Sequence, residues 1–165
     1  MNINIIFVSL LALSLWGCSD DSAKVTALPE PTLDTAPVKH TGTFPLDEWN
    51  GAKWIDSGQS ISLETTWRFI GSVEVDTGLK VSGGYTIKFT NPTNRVVEVG
   101  IIKLKFYDNV DITIAEYDII PDDTFNIDPS EEITRNGTFE ITVGSLEVTE
   151  LITEMGIWAY AGFKR

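Results

Sequence analysis

The sequence predicts an all-β domain: an antiparallel β-sandwich with one short helix before its last strand. Three observations predict it. Apolar and polar residues alternate along successive segments between residues 67 and 163, the period at which side chains change faces on an extended chain. Turn-forming residues separate those segments at short intervals. One apolar face per strand also demands a second layer to cover it.

The elements follow in chain order. Ile5 to Trp16 is an uncharged apolar run of 12 residues, too short to cross a hydrocarbon core that takes about 20. It fits the apolar region of a secretory signal peptide over residues 1–17. The run ends in Leu15-Trp16-Gly17-Cys18, which resembles the lipobox of bacterial lipoproteins. The resemblance implies cleavage after Gly17, diacylation of Cys18 and acylation of the new N-terminus, with the lipid bilayer as first partner. Cys18 is the single cysteine of the chain. Ser19, with the pair Asp20-Asp21, resembles the sorting and export signals of outer-membrane lipoproteins. The expected location is therefore the bacterial cell envelope, at the outer membrane on its periplasmic or outer face.

Residues 18–43 carry Pro29, Pro31 and Pro37 among polar residues, with no sustained period of 2 or 3.6. They read as a disordered, partly stiffened tether. His40, the single histidine, falls at its end and reads as exposed and without a role.

Residues 44–165 read as the folded head. Trp67, Phe69, Gly71, Val73 and Val75 share one face of an extended segment. Tyr85, Ile87 and Phe89 alternate with Thr86, Lys88 and Thr90, and Ile102, Leu104 and Phe106 with Lys103 and Lys105. Phe139, Ile141 and Val143 form a fourth face, and Ile157, Ala159, Ala161 and Phe163 a last one. Expected turns are Gly83-Gly84, Asn91-Pro92-Thr93-Asn94, Asp108-Asn109, Pro121-Asp122-Asp123, Asp128-Pro129-Ser130 and Asn136-Gly137. Across Ser145–Met155 the period changes: Val148, Leu151, Ile152 and Met155 fall at helical spacing, with Ser145 as N-cap, Glu147 in the first turn and Gly156 as stop. The sandwich is of immunoglobulin-like type, without the disulfide that often staples such domains.

Part of the head is similar to the FxLYD-type domains of bacterial envelope proteins. The likeness rests on Asn91-Pro92-Thr93 closing a strand, Phe106-Tyr107-Asp108 ending the next, and Ile127-Asp128-Pro129-Ser130-Glu131 before Phe139. Ser130 stands where the family has Gly, and six residues, Glu132 to Gly137, are inserted before Phe139. The resemblance covers about residues 80–163 and implies a non-catalytic, immunoglobulin-like envelope module. It transfers no catalytic residue.

Composition limits the chemistry. With 12 Lys+Arg against 24 Asp+Glu the net charge is −12, which argues against nucleic acid, whose phosphates need a basic face. Thiol dyads and His/Cys metal sets have almost nothing to draw on. Asp122, Thr124, Asn126 and Asp128 alternate like calcium ligands, but an EF-hand loop needs Gly at its sixth position and Glu at its twelfth. Those positions hold Ile127 and Ile133. A looser site with Asp108, Asp111 and Asp118 is outweighed by a solvated polar strand face. No catalytic residue, cofactor or metal is expected. The expected work is non-catalytic binding of another envelope protein, with glycan binding as the rival. Trp158, Tyr160, Trp49 and Trp54 are the candidate stacking residues. A row of exposed Trp and Tyr on one sheet would favour the glycan.

Overall fold

The computed structural model describes residues 33–164, less the side chains of residues 121 and 122. The signal peptide at 1–17, Cys18 and most of the tether lie outside the described residues. The elements are β1 (Val38–Trp49), β2 (Trp54–Val75), β3 (Gly78–Thr90), β4 (Val97–Tyr107), β5 (Thr113–Ile127), β6 (Glu132–Val143), α1 (Leu146–Leu151) and β7 (Glu154–Phe163). The fold is all-β, as the alternation predicts, with the short helix directly before the last strand.

The strands run in the order β5-β4-β7-β1-β2-β3-β6. Every neighbouring pair is antiparallel except β1 with β7, which touch in parallel through one pair, Asp47 and Gly162. That single link divides the sheet into a four-stranded half and a three-stranded half, which curl over one another as a barrel-like sandwich. Aromatic contacts cross between the halves. Phe106 of β4 lies 4.7 Å from Phe139 of β6 and 5.8 Å from Trp67 of β2, and Phe125 of β5 lies 5.4 Å from Phe89 of β3. The outer edges of the two halves meet through side chains: Arg135 Nε of β6 sits 3.1 Å from Asp123 Oδ2 of β5, and its guanidinium covers the Phe125 ring.

The core follows the alternation for Ile87 and Phe89, Leu104 and Phe106, and Phe139, Ile141 and Val143, all buried. Elsewhere bulges change the phase, because one extra residue turns every later side chain to the other face. The register of β2 slips between Phe69 and Gly71, so Trp67 and Phe69 are core while Val73 and Val75 are exposed. In β4 the slip falls between Ile101 and Lys103. Ile101 takes the core position expected of Ile102. Opposite this bulge, residues 119–122 of β5 leave the ladder, since Ile101 pairs with Asp123 and Lys103 with Asp118. Pro121, a turn residue by sequence, lies instead in this bulged stretch, where a missing N–H costs no ladder bond.

The Gly83-Gly84 and Asn136-Gly137 turns are also absent. Both pairs lie inside strands of the β3–β6 ladder, Gly83-Gly84 opposite Phe139 and Thr138, and Asn136-Gly137 opposite Thr86 and Tyr85. Glu132 to Gly137 lengthen β6 in unbroken register with β3. The head also begins earlier than residue 44: Val38 to Thr43 pair with β2, and the Thr35 N–H reaches the Phe69 carbonyl at 3.2 Å. The helix is shorter than Ser145–Met155. Ile152 is extended, and the Thr153 N–H donates to the Tyr107 carbonyl at 2.9 Å, drawing the chain into β7. Met155 and Gly156 are therefore strand residues, and Leu151 is exposed.

Two corners hold the ends of the sandwich. Asn91 is fully buried; its amide nitrogen reaches the carbonyls of Arg95, Ile127 and Asp128 at 2.8, 3.0 and 3.2 Å, and its oxygen accepts from the Thr93 N–H and hydroxyl. It thereby ties the β3–β4 loop to the β5–β6 corner. At the other end the Asp108 carboxylate accepts from the N–H groups of Val110 and Ile112 at 2.9 and 2.8 Å, shaping the β4–β5 turn.

Candidate functional site

The site grows from the outer face of β7. With a period of two, Met155, Ala161 and Phe163 go to the core, while Gly156, Trp158, Tyr160 and Gly162 face outward. Trp158 is 51% exposed and Tyr160 43%. The two glycines leave gaps in the row, and aromatic rings from β2 and β4 fill them. The Trp54 ring reaches over Gly162, where an added Cβ would meet it at 3.2 Å, and the Tyr107 ring covers Gly156, where the same atom would meet it at 2.8 Å.

Tyr160 in turn covers a glycine of its neighbour. It pairs with Gly100 of β4, which pairs with Thr124 of β5. The ring crosses this register row, and the phenol oxygen lies 3.1 Å from Thr124 Oγ1. A Cβ on Gly100 would sit 2.2 Å from two ring carbons, so any larger residue would drive the ring off the sheet. Trp54 is 48% exposed, and Trp49 meets it edge-on at 5.8 Å. Both flank the Asn50 hairpin turn, in which the Asn50 side-chain oxygen accepts from the N–H groups of Ala52 and Lys53.

The structure therefore brings Trp158, Tyr160, Trp54 and Trp49 to one outer region. It adds Tyr107, an aromatic residue of the head that the sequence places in a strand-end motif and not among the chosen stacking candidates. The signal for it was present: glycine two residues before the Trp158–Tyr160 pair is where a ring from the next strand can settle.

Tyr160 and Trp54 border a groove of about 590 Å³, lined also by Asp47, Glu98, Phe163 and Lys164. It lies at the seam where β1 and β7 share their one pair, since Asp47 and Gly162 are both in its wall. There the two halves diverge and leave space. The groove offers ring faces for apolar contact, two carboxylates that accept hydrogen bonds, and one ammonium that donates.

Trp158 stands on charged side chains. Lys103 and Lys105 Nζ lie 5.2 and 5.8 Å from its ring centre. Both pair with Glu116, at 2.6 and 3.1 Å, and Lys103 also pairs with Asp118 at 3.3 Å. Hydrogen bonds from Lys103 and Lys105 hold the Glu116 carboxyl below its usual range, and those to Glu116 and Asp118 raise the Lys103 ammonium. Both ammonium groups therefore face the indole while paired to carboxylates.

Three of the other polar candidates have structural partners. Asp108 shapes a turn, Asp118 pairs with Lys103, and Thr124 meets Tyr160. Among the described residues no group of three or more His, Cys, Asp or Glu is placed to hold a metal ion. His40 is an exposed residue of β1, not of a tether, with its Nε2 3.9 Å from Glu154 Oε1. Cys18 lies outside the described residues.

No family model, no curated protein and no solved structure matches this chain. Fold and site together define its class: an all-β sandwich with an aromatic groove at the seam between its halves.

Proposed function

We propose that this chain is a lipid-anchored, non-catalytic module of the bacterial cell envelope, and that its aromatic groove binds a neutral glycan. The row of exposed Trp and Tyr on one outer face carries the reading. Sugar rings present apolar C–H faces that stack on aromatic rings, and hydroxyls that donate to carboxylates such as Asp47 and Glu98. Charge narrows the class. The net charge of −12 and the two groove carboxylates oppose an anionic polymer.

Binding of another envelope protein by strand pairing is the second reading, favoured by the edges that β1 and β7 leave where they share only the Asp47–Gly162 pair. The anchor is the lipobox at Cys18, with Ser19 and Asp20-Asp21 directing the protein to the outer membrane. The reading assigns no catalytic residue, metal or cofactor.

Two experiments test it. Labelled palmitate is incorporated by the wild type and not by Cys18→Ser; equal labelling of the variant defeats the anchor. A glycan array and tryptophan-fluorescence titrations of the full chain give binding that Trp54→Ala with Tyr160→Ala removes. No response on either, or a response the double variant keeps, defeats the glycan reading.

A further inference from the structure

The groove holds only part of the aromatic row. We infer that the bound glycan is an extended chain lying along the outer face of β7 and touching four successive rings, Trp54, Tyr160, Trp158 and Tyr107, so that the site selects for chain length. The inference rests on the glycan reading above.

The geometry is that of a path and not a cage. The outward positions of β7 are Gly156, Trp158, Tyr160 and Gly162; Trp158 and Tyr160 supply their own rings, that of Tyr160 leaning across Gly100 of β4, and Tyr107 and Trp54 lie over the two glycines. From Gly156 to Gly162 the strand rises about 20 Å, at roughly 3.3 Å per residue. A hexopyranose with its bridging oxygen takes up on the order of 5 Å, the width of a six-membered ring plus the span over the bridging oxygen, both built from single bonds of ~1.5 Å. The row therefore matches about four sugar units. An end-on pocket for one terminal sugar would instead close rings around a point, and Trp158 would have no part in it, because it does not line the groove.

Trp158 is also built to keep its place. The paired lysines under it are held by Glu116 and Asp118 at 2.6 to 3.3 Å, so the indole rests on a supported base while half of it faces solvent. Pre-positioned rings lose little freedom when a ligand stacks on them, so the added contact appears as affinity.

The test uses the full chain in detergent with ladders of neutral glucan and mannan oligosaccharides, from one unit to six, read by tryptophan fluorescence. Affinity is expected to rise through four units and then level. Trp158→Ala is expected to leave the disaccharide within about twofold of wild type and to lose roughly tenfold on the tetrasaccharide. Trp158→Phe keeps a ring at the position and is expected to restore most of the length dependence; an unchanged thermal melt shows that each variant is folded. Binding that does not change with length, or a Trp158→Ala loss that is equal at two and four units, overturns the inference while the glycan reading stands. If no ladder binds, the glycan reading falls and this inference with it.

Discussion

The sandwich uses one device on both of its faces, with opposite results. Inside, Phe139 of β6 lies over Gly83 of β3, its cross-strand partner, and is buried against Phe106 and Phe69. Outside, Tyr160 of β7 lies over Gly100 of β4, also its partner, and remains 43% exposed. In each case a glycine lets a ring lie across a neighbouring strand. In the core the ring's upper face meets the opposite layer, and the arrangement is packing. On the outer face it meets water, in a row with other rings, and the arrangement is a surface suited to stacking. A ring over glycine therefore says nothing about role until its far side is known.

The largest break in the symmetry should come from Gly83→Ala. The new Cβ would lie 2.1 Å from Phe139 Cζ and 2.6 Å from the Arg68 carbonyl oxygen. A backbone oxygen has little room to move, and overpacking a core costs about 1–3 kcal/mol. A loss near the upper end, about 3 kcal/mol, is expected in urea denaturation. A midpoint within error of wild type would show that the core around Phe139 yields.

Gly100→Ala is the matched change outside. Its Cβ would also fall 2.2 Å from ring atoms, but those belong to an exposed side chain that can swing into solvent. Stability is expected to change by less than about 1 kcal/mol. Glycan affinity is expected to fall about tenfold, equivalent to ~1.4 kcal/mol, because Tyr160 leaves the row. If Gly100→Ala instead costs as much stability as Gly83→Ala with binding intact, the outer ring is packing after all.

Much of this contrast was legible in the sequence, and the illegible part has a common cause. The alternation around Ile87, Phe89, Leu104, Phe106 and Ile141 placed the core because period two survives wherever a ladder is regular. It failed at Ile102, Val73 and Val75, where bulges shift the phase and no local residue announces them. Gly83-Gly84 and Asn136-Gly137 read as turns because glycine in isolation signals conformational freedom. Their real neighbours, Phe139 and Tyr85, lie across a ladder between residues more than 50 positions apart in sequence. The same blindness hid Tyr107 over Gly156 and Trp54 over Gly162. Trp158 and Tyr160 were legible because both belong to the outward set of one strand. At the β5–β6 corner, Ser130 has φ +64°, a backbone state that glycine adopts without strain, and Asp128-Pro129 before it announced the turn but not that state.

A third change separates the two faces by sign. Thr65 is buried in the core face of β2, and neither its hydroxyl nor the indole N–H of Trp67 has a hydrogen-bond partner among the described residues. A buried polar atom left unpaired costs about 1–3 kcal/mol. Thr65→Val keeps the branched shape and removes that atom. It is expected to raise stability by about 1 kcal/mol and leave glycan affinity untouched, since packing alone decides interior positions. A destabilised Thr65→Val would mean that the hydroxyl is satisfied in solution.

The finest test is Tyr160→Phe, which keeps the ring and removes its tie to Thr124 Oγ1 at 3.1 Å. That bond lies on the solvent side, where water replaces a lost partner, so stability is expected to move by no more than about 0.5 kcal/mol. Its work would be orientation. Without it the ring still rests over Gly100 but swings more freely, and ordering it on binding carries an entropic cost. A two- to threefold loss of affinity follows, under about 0.7 kcal/mol, read by the same fluorescence titration. An affinity equal to wild type would show that Gly100 alone keeps the ring in place, and that the outer face, like the inner one, is shaped entirely by what glycine leaves out.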